Sequence, residues 1–211
     1  IGIPSAFQYS LFAFANLFVQ SSVNSFDHVL VEGNSAAANA DPLVYDMMAA
    51  FYTACSSFIA QNFGAKKKKR ILQTYLICLF YSFITSLVLG VGIYLARYPF
   101  LYLFTSDKAV VEAGITRLSI MALSYSASAF MDASIAASRG LGKTAVPTFV
   151  VVMGSCVFRI IWIYTIFAYF HTIQSLYILY VFSWGITAIA ENIYFFHVYR
   201  HTLTGKTESH L

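Results

Sequence analysis

KKKKRILQTYLICLFYSFITSLVLGVGIYLAR, residues 66–97, is five consecutive basic residues followed by 26 without a charge until Arg97. At a rise of ~1.5 Å per residue, residues 71–96 are long enough to cross the ~30 Å hydrocarbon layer of a bilayer. The pattern repeats on both sides. Apolar stretches run over approximately 1–26, 36–63, 71–96, 113–137, 145–168 and 174–198. Lys66–Arg70 fill the second gap, Arg139 and Lys143 the fourth, and Arg200 and Lys206 the tail, so 9 of the 13 basic residues lie on one side. The odd gaps hold only Arg97 and Lys108, while Arg117 and Arg159 fall inside spans. The positive-inside rule then puts the even gaps and both ends in the cytoplasm.

These spans predict an all-α, polytopic membrane bundle of six transmembrane helices over residues 1–198, with a cytoplasmic tail at 199–211. Charged residues make up 10% of the chain and hydrophobic ones 59%, where a soluble domain carries ~25% charge. The net charge of +4 comes from the inner loops and points to anionic membrane lipid as a partner, not to nucleic acid. Cys55, Cys78 and Cys156 all lie within spans, which suits packing rather than a disulfide framework. Ile1 is not Met and no signal segment precedes it, so the chain reads as the later part of a longer polypeptide. Asp27–Ser35 is expected to form the first outer loop. Arg97–Glu112 is expected to hold a short interfacial helix, because Tyr98, Phe100, Tyr102 and Phe104 suit the bilayer boundary. Small residues crowd the second and fourth spans, which predicts close helix packing there.

Charged groups within a bilayer need partners or a wet cavity, so they mark candidate functional positions. Asp41 and Asp46 in the second span, Asp132 in the fourth and Glu191 in the sixth are four acids against Arg117 and Arg159. An acidic surplus suits protons, Na⁺ or organic cations. Arg159 is also read as a structural charge partner of Asp132 or Glu191. Asp41 alternatively reads as an outer helix cap, and the following Pro42 frees a backbone carbonyl. Asn16, Gln20 and Asn24 recur every four residues and share one helix face, where they either bond to a neighbouring helix or line a polar cavity. Asn39 allows the same two readings. The histidines sit at span ends or in the tail, and no metal site is expected. Gly142-Lys143-Thr144 lacks the earlier glycine of a phosphate loop, since Ala137 stands there. With no nucleophile motif and no cofactor signature either, an enzyme is not expected.

Several stretches resemble the C-terminal half of the multidrug and toxic compound extrusion (MATE) transporters. Ile1-Gly2-Ile3-Pro4 and Gln20-Ser21-Ser22-Val23-Asn24-Ser25-Phe26 resemble that family's seventh helix, and Gly33-Asn34-Ser35-Ala36-Ala37-Ala38-Asn39 follows in the same order. Gln61-Asn62-Phe63-Gly64-Ala65 resembles the end of its eighth helix. Arg139-Gly140-Leu141-Gly142-Lys143-Thr144 with Pro147 resembles the turn between helices ten and eleven, and Cys156-Val157-Phe158-Arg159-Ile160-Ile161-Trp162 the eleventh helix of a bacterial branch. The resemblance implies one six-helix lobe of a twelve-helix transporter, with the N-terminal lobe as its partner, in a plasma membrane such as the bacterial inner membrane. It further implies secondary active export of small amphipathic, often cationic drugs by alternating access, with Na⁺ or H⁺ as the coupling ion. In several members the cation site of this lobe uses acids on helices seven and ten. Here the first span carries Gln20 and Asn24 but no mid-span acid, and Asp132 lies about one turn nearer the cytoplasm, so Asp41 or Asp46 would have to supply the charge. Two other functions fit a bundle of this kind: a flippase for lipid-linked oligosaccharides, which needs basic residues in the cleft, and a non-transport accessory subunit.

Overall fold

The computed structural model describes the backbone of residues 2–202 and the side chains of residues 10–201. Ile1 and the tail beyond Thr202, including Lys206 and His210, lie outside the described residues. The chain is helical throughout, with no strand among the described residues. Helices α1 (Gly2–Val23), α2 (His28–Ala38), α3 (Ala40–Gly64), α4 (Lys68–Leu95), α5 (Arg97–Tyr102), α6 (Lys108–Gly140), α7 (Ala145–Phe170) and α8 (Ile173–Thr202) follow in order. Among the described residues, α2–α3 together, α4, α6, α7 and α8 are each long and apolar enough to cross a membrane, and the described part of α1 adds a shorter apolar helix.

Asp27–Ser35 is not a loop. Asp27 is an N-cap whose Oδ1 accepts the Leu30 amide at 2.9 Å, and α2 starts at the next residue. The apolar, small-residue composition of His28–Ala38 then lets the helix continue toward the bundle. It breaks at Asn39, just ahead of Pro42. Proline has no N–H and its ring crowds the carbonyl four residues back, here that of Ala38. The Asn39 side-chain amide donates to the carbonyls of Ser35 and Ala36, both at 3.1 Å, and so satisfies backbone groups at the break. The expected short helix in the second outer connection is α5.

α6 is the central element, packed by α2, α3, α4 and α8, while α1 and α7 complete the bundle on the α8 side. Hydrophobic burial gives little drive between helices in lipid, so close approach and polar bonds decide the packing. A Cβ built on Gly90 of α4 would overlap the Ala122 carbonyl oxygen of α6. One on Gly33 of α2 would sit 2.8 Å from the Val110 oxygen, and one on Gly140 2.7 Å from the Ser56 oxygen. The outer face of α4, with Leu76, Phe80, Ile84 and Val88, is left exposed, as a lipid-facing surface is.

α7 is irregular. Two π-helical segments, Val152–Val157 and Ile163–Phe167, interrupt it. The first contains Gly154, where a Cβ would overlap Thr187 Oγ1 of α8. The widened turn leaves the Gly154 carbonyl to accept from Ser183 Oγ at 3.1 Å. His171 (φ 44°) ends α7 in the left-handed conformation. At the other end of the bundle, Gly142 (φ 78°) makes the turn between α6 and α7, a conformation a glycine adopts without strain.

Candidate functional site

Three polar layers cross the bundle. The first lies toward the end from which α6 starts. There Arg117 of α6, a buried residue, donates from Nη2 to Asp41 Oδ2 at 2.6 Å and from Nη1 to Asn34 Oδ1 at 2.8 Å. Tyr125, two turns further along α6, donates its hydroxyl to Asp41 Oδ1 at 2.5 Å. The break at Asn39 sets this geometry, because it aims Asp41 inward from the first turn of α3 while Asn34 arrives from α2. The Arg117 guanidinium also lies 5.7 Å from the Tyr177 ring centre. Beside this group is a cavity of about 180 Å³ whose lining includes Asn16, Gln20, Asn34, Asp41, Arg117 and Tyr180.

The second layer is built on Arg159. This residue is 2% exposed, yet its partners are neutral: Nη1 donates to Asn16 Oδ1 at 2.9 Å and Nε to Ser183 Oγ at 3.4 Å. Its guanidinium lies 4.5 Å from the Tyr180 ring centre and 5.6 Å from that of Phe12. The expected pairing with Asp132 or Glu191 is not formed. Glu191 lies eight residues beyond Ser183 on α8, or ~12 Å along the axis, which is out of reach of a guanidinium held at Ser183. Between the first two layers the rings of Tyr45, Tyr125, Tyr180 and Trp184 cluster, with centroids 5.5–6.4 Å apart in each contacting pair. The electrostatic environment of Tyr45 includes Asp41, Asp132 and Arg159 together.

The third layer lies in the half of the bundle nearer the basic loops. Tyr75 of α4 donates to Asn192 Oδ1 of α8 at 2.6 Å and shares a 3.1 Å hydrogen bond with Ser134 of α6. The Asn192 amide donates to the Ala188 carbonyl at 2.8 Å. Next to Asn192 is Glu191, 0% exposed, with neither carboxylate oxygen in a hydrogen bond.

The sequence candidates therefore separate. Asp41 is held by Arg117 and Tyr125. Asp46 is exposed on α3. Asp132 is half-buried on α6 and Glu191 fully buried on α8. Gln20, exposed on α1, bonds at 2.9 Å to Asn24 just past the end of that helix, Asn16 holds Arg159, and Asn39 serves its own helix break. The Arg117–Asp41 pair, the Asn34 contact and the Tyr45–Trp184 aromatic cluster have no local sequence signal, since the pair is 76 residues apart. Among the described residues no three His, Cys, Asp or Glu side chains converge into a metal-binding group.

A bundle of long apolar helices that carries its polar groups in layers between them is built for a membrane. The MatE family model matches residues 4–165, and the chain belongs to this family of membrane transporters. The fold agrees with solved transporters of the same kind. The Vibrio cholerae MATE transporter VcmN in its bent form superposes with a TM-score of 0.84 at 19% identity, over 94% of this chain and 45% of that one. A MOP-superfamily transporter from Pyrococcus furiosus gives 0.85 at 18% identity, over 99% and 46%. A multidrug resistance MATE transporter in an outward-facing conformation gives 0.86 at 18% identity, over 95% and 46%. The chain thus spans less than half the length of the solved transporters it matches. No curated protein matches it.

Proposed function

We propose that this chain is the C-terminal lobe of a secondary active transporter that exports amphipathic, often cationic compounds by alternating access, in exchange for inward movement of H⁺ or Na⁺. Family membership supports export. The observation that carries the substrate class is the aromatic cluster of Tyr45, Tyr125, Tyr180 and Trp184, with Asp132 in its electrostatic neighbourhood and Asp46 on the adjacent exposed face of α3. Aromatic faces attract organic cations, and flat greasy bodies stack on them. Ion and substrate exchange when they compete for one site or stabilise different states of the bundle. An N-terminal lobe would close the cleft over exposed Gln20 of α1, over Asn24 just past its end, and over Asp46. The basic loops at 65–67 and 141–144 favour a cytoplasmic position for that end of the lobe, in contact with anionic lipid, in a membrane such as the bacterial inner membrane.

The test is reconstitution of the whole transporter in liposomes, with a pH gradient or a Na⁺ gradient imposed one at a time. Efflux of a fluorescent organic cation driven by one of these gradients is the expected result. Efflux under neither gradient would refute it. Arg117 is already neutralised by Asp41, and the buried Arg159 guanidinium is held by the neutral side chains of Asn16 and Ser183. That is a poor complement for a lipid pyrophosphate, so binding of such a lipid in place of the dye is not expected.

A further inference from the structure

The strongest unexplained group in the lobe is Glu191. Its side chain is fully buried, on a helix that packs against α6 and the first half of α7. Both carboxylate oxygens are buried and neither meets a donor. The polar neighbours on either side do not serve it. Asn192 gives its amide to Ala188 and takes the Tyr75 hydroxyl, and Tyr75 is shared with Ser134. The buried residues of α6 and α8 within one turn of it along either helix are largely apolar: Ala133, Ala136 and Ala137 on α6, Ala188 and Phe195 on α8. The charged groups that act on Glu191 are Asp132 and Arg139, both on α6, and Tyr194 of its own helix feels its charge. The facing half of α7, residues 145–157, carries no charged residue, and α4 carries none between Arg70 and its end at Leu95.

We propose that Glu191 is a proton-binding site of the transporter, occupied by a proton in the conformation seen here. The inference rests on the export reading only in assigning H⁺ as a coupling ion. An ionised carboxylate that is buried without a partner is far more costly than a neutral carboxyl group in the same place. A hard cation does not fit as the occupant. Such ions are held by several oxygen ligands at once, whereas Asn192 Oδ1 already accepts the Tyr75 hydroxyl and that hydroxyl is shared with Ser134. Loss of the proton leaves a bare charge in the α6–α8 seam. Water must then enter, and its entry separates two helices that are packed against each other in the loaded state. Proton release thereby favours a different arrangement of α8 against α6, which is what coupling to alternating access requires. Asp132, half-buried one helix away, is placed to pass the proton between Glu191 and the cleft.

The test uses infrared difference spectroscopy on the whole transporter in lipid nanodiscs. Wild type at neutral pH should show the carbonyl stretch of a protonated carboxyl, which disappears as the pH is raised. Glu191→Gln should abolish that band, and Asp132→Asn should leave it. Gln copies the shape of the protonated acid, so the variant is expected to fold. Glu191→Asp, which should shift the band rather than remove it, provides the check if Gln does not fold. A band unchanged in both Glu191 variants overturns the proposal. In parallel, efflux driven by a pH gradient should fall at least tenfold in Glu191→Gln while binding of the fluorescent cation is retained. Undiminished efflux in that variant overturns the coupling role even where export is confirmed. Absence of export in the wild type, with the band still assigned to Glu191, overturns the export reading and leaves the proton site standing.

Discussion

Replacement of Asp41 tests the first polar layer most directly. Asp41 retains 27% side-chain exposure and Arg117 only 7%, so the pair is largely shielded from water. Removing one member of a buried ion pair costs ~3–5 kcal/mol, because the other charge stays behind without compensation. Two features lower that figure here. Arg117 keeps its bond to Asn34 and its contact with the Tyr177 ring, and Asp41 is partly wet. Against this, Asp41→Ala also strands the Tyr125 hydroxyl, a loss of ~1 kcal/mol. The net expectation is about 3 kcal/mol for Asp41→Ala. For Asp41→Asn it is about 1–2 kcal/mol, since an acceptor remains for both Arg117 and Tyr125. The assay is denaturant titration of the whole transporter in mixed micelles, run as a double-mutant cycle with Arg117→Met. The double variant should be more stable than Asp41→Ala alone, because it no longer buries an unpaired guanidinium. The cycle should return a coupling of about 2 kcal/mol. Strictly additive losses would refute the pair as a structural lock.

Three further substitutions discriminate between the roles assigned above. Gly90→Ala places a methyl on the Ala122 backbone oxygen, which cannot rotate away; a loss of ~1–3 kcal/mol is expected, while Gly92→Ala, with nothing within 4 Å, should gain up to ~1 kcal/mol from helix propensity in the same unfolding titration. Asp46→Asn, on an exposed position, should leave stability within ~0.5 kcal/mol of wild type yet weaken binding of a cationic dye, measured by fluorescence anisotropy; unchanged affinity would remove Asp46 from the cleft. Asp27→Ala removes the cap of α2 and should lower stability by ~1 kcal/mol, with faster hydrogen exchange confined to the first turn of that helix.

What the sequence discloses and what it hides divide along a physical line. Span number, loop sidedness and the membrane solvent follow from runs of apolar residues and from where Lys and Arg fall, both of which are local properties. The family resemblance rests on equally local stretches. Asp27–Ser35 was legible only in part. Its acid and small residues suggest a loop by composition, but an Asp placed one residue before His28 is a cap, and the capped segment is helical. The site is different in kind. Arg117 and Arg159 are both buried in-span bases, yet one meets a carboxylate and the other meets Asn16 and Ser183. That difference depends on the break at Asn39 turning Asp41 inward and on the π-helical turn in α7, neither of which has a periodic signature in the chain.

The charges of the lobe are not equivalent, and their partners show which of them can take part in a transport cycle. Asp41 is committed to Arg117, Asn34 joins the same guanidinium from α2, and Tyr125 closes the group from α6; four side chains on three helices are fixed at once. Arg159 ties α1 to α7 and α8 through neutral partners, a weaker and more easily exchanged link. Glu191 has no hydrogen-bond partner among the described residues. A gradient of commitment thus runs along the bundle, from a locked pair near the start of α6 to an unpartnered acid near its other end. If the lobe changes shape when an ion is taken up or released, the energetic lever is greatest where a single charge lacks compensation and smallest where it is already neutralised. The α6–α8 seam at Glu191 is the place where gaining or losing one proton most alters what the packing can tolerate, and the Asp41–Arg117 lock is what keeps the opposite end of α6 in place while it does so.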